Sequence, residues 1–204
     1  MSNIVLHKHD IPASLDLGPV VAVDTETMGL KIHRDELCVV QLSAGDGTAH
    51  IIQLDRSTYH APNLKNLLTD RSILKIFHYA RFDIAVLMHY LEVYTAPVYC
   101  TKIASKLTRT STDLHGLKEL CRTLLGIELT KEQQVSDWGA PELSPAQLNY
   151  AANDVLHLHA LKEKLDALLE RENRMHLAQA CYSFLPSRAE LDLLMFDDPD
   201  IFSH

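Results

Sequence analysis

Basic residues are in deficit in this chain: 19 Lys and Arg stand against 27 Asp and Glu, a formal charge of −8. No general excess of cations exists to release counterions from a polyanion, which argues against broad electrostatic capture of a long nucleic acid, so any such contact must be local. Cysteine is also sparse. Cys38, Cys100, Cys121 and Cys181 form no CxxC pair, which removes the spacing of a zinc site or a disulfide framework and leads us to expect a reducing cytoplasm. No run of about 18 uncharged apolar residues occurs, and the opening MSNIVLHKHDIP has no apolar core; a soluble protein with neither membrane span nor export signal is expected. Repeats, low-complexity tracts and linkers are missing too.

What is present is an ordinary globular composition, 47% apolar and 23% charged over 204 residues. One α/β core holds that many residues without splitting, so a single domain over residues 1–204 is expected. PVVAV, ELCVVQLSA and TAHIIQL read as three early strands, the last two flanking a GDG hairpin turn. NLKNLLTD reads as a short helix, ILKIFH as a buried strand, and ARFDIAVLMHYL as a helix with Ile84, Leu87, Met88 and Leu91 at helical spacing. PVYCTKIASKLTR reads as a strand entering a helix, and LHGLKELCRTLLG as a helix that stops at Gly126. Residues 127–143 contain Gly139 and Pro141 and read as a loop. Ser144, Pro145 and Gln147 make a capping box that opens a long helix toward Arg171; two short helices broken at Pro186 and a loose DDPDIFSH tail complete the reading.

The first candidate site residues end the PVVAV strand. Asp24 and Glu26 are two apart, so they share one face and can address one cation, although solvated turn residues produce the same pattern. Asp83 sits in the first turn of a helix, where a dipole partner is the plain alternative. Asp154 lies beside the apolar positions Ala151, Val155, Leu158 and Leu161, and Tyr150 precedes it by four, on the same side of the helix. Four carboxylates and a phenol suit Mg²⁺ or Mn²⁺, which prefer oxygen ligands to imidazole or thiolate. A pair of such ions makes phosphodiester hydrolysis plausible chemistry.

The strings DTETMGL, FHYARFDIAVL and YAANDVLHLHAL, in that order, resemble the three exonuclease motifs of the DEDD 3′-5′ exonucleases. Tyr150 stands four before Asp154, with Asn149 and no histidine at five before, which is similar to the tyrosine subtype. LHGLKELC and KEQQVSDW resemble the ribonuclease D group, and the resemblance runs to about Leu165. It implies a ribonuclease H-like mixed sheet flanked by helices. It also implies that Asp24, Glu26, Asp83 and Asp154 bind two divalent cations, that Tyr150 orients the attacking water, and that the products are nucleoside 5′-monophosphates.

Residues 172–204 then form a C-terminal helical extension, too short for the helical RNA-binding domains of full ribonuclease D. A short, acidic member of the group resembles the alphaproteobacterial nano-RNase C family. That resemblance implies short single-stranded RNA as substrate and a homo-oligomer, reported for this type as a ring, with a ring-shaped octamer as its expected form. An exonuclease of longer RNA or of DNA ends, or an inactive binding module, is the alternative. Thr25, Met28, Gly29 and Leu30 fall at or after the first motif, where relatives insert an apolar wedge between terminal bases; a packed leucine is the alternative for Leu30. His78 is open between a phosphate or ribose contact and a packed histidine. Gln134 and Trp138 lie in the loop before the third motif, the indole either stacking on a base or buttressing Tyr150. Lys102, Lys106 and Arg109, at helical spacing, are read as a solvated face.

Overall fold

The structure, a computed structural model, describes residues 3–129, 136–196 and 201. Six strands form one mixed sheet: β1 (Asn3–Lys8), β2 (Val20–Thr27), β3 (Leu37–Ser43), β4 (Thr48–Gln53), β5 (Leu74–Phe77) and β6 (Val98–Cys100), in the order β1-β4-β3-β2-β5-β6. β2, β3 and β4 pair antiparallel in succession, as the GDG hairpin predicts, while β1 joins β4, β5 joins β2 and β6 joins β5 in parallel. Helices α1 (Pro62–Thr69), α2 (Ala80–Leu91), α3 (Thr101–Thr108), α4 (Leu117–Leu120), α5 (Pro145–Leu156), α6 (Leu158–Arg171) and α7 (Met175–Leu193) flank it. This is the mixed sheet with flanking helices that the resemblance implies.

Local rules explain the elements that carry the site. β3 is buried at all seven positions and sits inside the sheet, next to β2, so its continuous run of LCVVQLS suits a strand covered on both faces. β2 buries Val21, Ala22 and Val23 and becomes polar only at Asp24, beyond the end of its pairing with β5, where the cavity begins. The Ser144 side chain accepts from the Gln147 N–H and the Gln147 side chain returns to the Ser144 N–H, so the capping box fixes where α5 starts.

Four readings are corrected. An additional early strand, β1, pairs in register with β4 from Asn3↔Thr48 to Lys8↔Gln53; its residues, half-buried or exposed, carry a weak pattern, and the pairing comes from the exposed edge of β4. The helix predicted from Ser144 to Arg171 breaks at His157 (φ −105°, ψ −3°) into α5 and α6. The helix predicted through CRTLL is α-helical only over Leu117–Leu120 and widens into a π-turn at Cys121–Leu125 before Gly126, whose φ of +72° ends it. Pro186 does not break α7: the helix runs through it, packed along α2 and burying Ala178, Tyr182, Leu185 and Ala189. Burying several such side chains at about 1.5–3 kcal/mol for a leucine offsets the roughly 3 kcal/mol of an interior proline. The predicted loose tail lies largely outside the described residues. Among the described residues no helix is long and apolar enough to cross a membrane.

Candidate metal centre and substrate cavity

The end of β2 meets carboxylates from two helices, α2 and α5. Asp24 and Glu26 point one way and meet Asp154 of α5, so that one carboxylate oxygen from each lies within 4.8 Å of the others. Thr25, pointing the opposite way, donates its hydroxyl to Asp83 Oδ1 of α2 at 2.6 Å. Asp83 is buried at 4% exposure, and its charge acts on Asp24, Glu26 and Asp154. The helix-start position that made a dipole partner conceivable therefore brings it to the same cluster.

The electrostatics suit the binding of cations. Burial, then the charges of Asp83, Asp154 and Glu26, pushes Asp24 well above the usual carboxylate range, and burial with Asp154 and Asp83 does the same to Glu26. Burial raises Asp83 to about 7 against the opposing Thr25 hydrogen bond, and burial with the Asp83 charge raises Asp154 to about 7. Among the described residues no Lys, Arg or His forms an ion pair with any of the four. An all-oxygen cluster without a protein counter-charge fits a hard divalent cation, and the fit lies in the donor set itself.

These groups open into a cavity of about 890 Å³. Thr25, Met28, Gly29, Leu30, His78 and Tyr150 line it as well. Leu30 is 83% exposed at its rim, which removes the packed-leucine alternative. Tyr150 stays protonated at neutral pH, because burial followed by the charges of Asp154, Glu26 and Asp24 drives its phenol upward. His78 shares a 2.9 Å hydrogen bond between Nδ1 and Thr101 Oγ1; burial and Lys102 push it down to about 3, so it is a neutral, anchored ring.

Trp138 departs from one of its two predicted roles. At 1% exposure the indole offers no face to a base; its ring centre lies 6.1 Å from that of Tyr150 at an interplanar angle of 44°, so it packs beside the phenol. Gln134 lies outside the described residues. Several cavity residues escaped the sequence reading: Tyr79, Phe82, His115, Lys118 and Arg122. Lys102, set aside with Lys106 and Arg109 as one solvated face, separates from them, lining the cavity with its Nζ 4.0 Å above the Tyr79 ring. A sequence signal for Tyr79 was its place inside the second motif; its φ of +68°, uncommon for a non-glycine residue, is visible only in the backbone.

With this geometry in view, the family model described as a 3′-5′ exonuclease matches residues 8–170. The chain belongs to the 3′-5′ exonuclease family. It is 36% identical over 157 residues to the ribonuclease D of Granulibacter bethesdensis, a match covering 77% of this chain and 39% of that protein; the chain thus spans less than half the length of such curated relatives. Among solved structures it is similar to Brucella melitensis NrnC, with 56% identity, a TM-score of 0.96 and coverage of 99% of this chain and 98% of that one. Structures of that protein bound to pGG and with bound Mg²⁺ match at 55% identity, with TM-scores of 0.96 and 0.94, each covering at least 99% of both chains. Escherichia coli RNase D matches at 26% identity and a TM-score of 0.72, over 84% of this chain and 45% of its own. The ribonuclease H-like architecture and the membership of the 3′-5′ exonucleases agree with the motif reading.

Proposed function

We propose that this protein is a metal-dependent 3′-5′ exoribonuclease of very short RNA, releasing nucleoside 5′-monophosphates. The observation that carries the reading is the joining of Asp24, Glu26, Asp83, Asp154 and Tyr150 in one cavity of about 890 Å³, within the size range of small-ligand pockets. The end-to-end likeness to a protein solved with pGG, in ordinary notation a 5′-phosphorylated dinucleotide, supports the short substrate. RNase D of Escherichia coli, described as processing structured RNA, is matched over less than half of its chain.

Asp24, Glu26, Asp83 and Asp154 are the residues that hold two divalent cations, Mg²⁺ or Mn²⁺, in a site of the tyrosine DEDD type. Bound there, such ions would neutralise charge on the scissile phosphate and acidify water. Tyr150, kept protonated, orients the attacking water by hydrogen bonding and leaves proton abstraction to other groups. Water oxygen bonds to phosphorus as the bond from phosphorus to the 3′ oxygen breaks; the terminal nucleotide leaves with its 5′-phosphate and the shortened chain keeps a 3′-hydroxyl. Leu30, Met28 and Gly29 form the wall where the terminal base is wedged, and neutral His78 is a hydrogen-bonding group beside it.

We further read the chain as one exonuclease unit, with residues 172–204 its C-terminal extension, and as a homo-oligomer, a ring of eight being the form the resemblance implies. α7 and the turn after it expose Leu177, Phe184, Leu194 and Phe196, apolar surface suited to a second copy. All four cysteines are free, which suits a cytoplasmic setting. The deciding experiment is a time course on 5′-labelled RNAs from dinucleotide to heptanucleotide and on matched DNA, in Mg²⁺, in Mn²⁺ and with chelator. Rapid, cation-dependent clearance of diribonucleotides is expected; dinucleotides accumulating from longer chains would point to a general exonuclease, and no cleavage at all to a binding module.

A further inference from the structure

Behind the cavity wall lies a set of contacts that the hydrolysis reading leaves unused. Residues 137–141 form no helix or strand, yet side chains from separate places in the fold hold their carbonyl oxygens. Gln53 Nε2, at the end of β4, donates to Ala140 O at 2.7 Å; Arg56 Nη2 donates to Gly139 O at 3.0 Å; Gln147 Nε2, in the first turn of α5, donates to Asp137 O at 3.0 Å. Arg56 reaches the other wall too, its Nη1 donating to Glu36 Oε2 at 2.6 Å, while the Glu36 carbonyl accepts the Met28 N–H at 3.0 Å. Gly139 is wedged between these walls: a Cβ there would lie 2.8 Å from Met28 Sδ and 3.0 Å from Arg56 Nη1. The residue these contacts flank is Trp138, packed beside Tyr150.

We infer that Arg56, assisted by Gln53, is a positioning residue for Tyr150, clamping residues 137–141 so that Trp138 fixes the phenol over the carboxylate cluster. The inference rests on the proposed role of Tyr150 in hydrolysis. Global stability does not explain the arrangement. The side chains of Arg56 and Glu36 are 35% and 48% exposed, and ion pairs that wet contribute little to folding. A planar, bidentate guanidinium is instead suited to fixing two partners at one angle, which a lysine cannot reproduce.

The test uses Arg56→Met and Arg56→Lys in the full chain, with Gln53→Ala as a second lesion of the same clamp should the arginine variants fold poorly. Trp138 is the only tryptophan, so its emission reports the loop without reference to activity. Expected are a red-shifted, more quenchable emission and a kcat on a 5′-phosphorylated diribonucleotide about ten- to a hundredfold lower, with KM little changed. On a Tyr150→Phe background, Arg56→Met should cost nothing further, because the residue acts through the phenol. Unchanged emission, or losses that multiply in the double variant, would overturn the inference. Full turnover by Tyr150→Phe alone would instead overturn the role of Tyr150, while the emission data would still report whether the clamp exists.

Discussion

Thr25 and Asp83 are joined across 2.6 Å, hydroxyl to carboxylate, by a bond that ties the end of β2 to the first turn of α2. It is the one side-chain hydrogen bond among the described residues that reaches the four clustered carboxylates, and it opposes the upward drift of Asp83 caused by burial. Thr25→Val keeps the shape and removes the donor. Outer contacts of this kind typically change metal affinity by about ten- to a hundredfold, so calorimetric titration should show weaker Mg²⁺ binding with the fold preserved. Undiminished affinity would mean that the bond serves packing alone.

Asp154→Asn should abolish turnover and yet raise the melting temperature of the cation-free protein, because it removes one of several mutually repelling charges held close together. The sign with pH follows from Asp154 being raised to about 7 in the fold, against about 3.9 unfolded. A folded state that binds more protons than the unfolded chain loses stability as pH rises from about 4 to 7. Buried neutral histidines such as His78 act in the opposite direction, so the informative quantity is the difference between variant and parent. In chelator that difference should grow from pH 5 to pH 8, each kcal/mol shifting the midpoint by about 2–4 °C. A difference that shrinks over that interval would show that Asp154 is not a repelled carboxylate.

Tyr150→Phe should lower kcat by about a hundredfold while cation binding persists, since the carboxylates of Asp24, Glu26 and Asp154 that make the cation cluster are left in place. Its pH-rate profile should keep its shape, because a phenol driven upward by burial and by Asp154 does not titrate in the working range. Loss of Mg²⁺ affinity in this variant would reassign Tyr150 to the cation site.

Leu30→Ala tests the rim. At 83% exposure the side chain contributes little to the fold, so thermal denaturation should be unchanged within error. If Leu30 packs on a terminal base, KM for a diribonucleotide should rise about tenfold, the scale of one lost apolar contact of 1–3 kcal/mol. A KM equal to that of the parent would return Leu30 to the class of scattered surface leucines.

The amino-acid sequence by itself determined the carboxylates and their carriers. Asp24 and Glu26 share a face because strand side chains alternate; Tyr150 and Asp154 share a side because four residues make about one helical turn; the Ser144 and Gln147 capping box sets the start of the helix that bears them. These rules join residues within a few positions, so they can be read without knowing what the elements touch. Only the tertiary structure decided the rest. Burial of Trp138 removed its stacking role, β1 formed because β4 offered an open edge, and α7 continued through Pro186 because α2 lay alongside. The hydrogen bond from Arg56 to Gly139 crosses 83 residues of sequence. Burial and long-range pairing depend on which surfaces meet, and the raised carboxylates depend on charges gathered from β2, α2 and α5; both are set by the packed chain and not by any one segment of it.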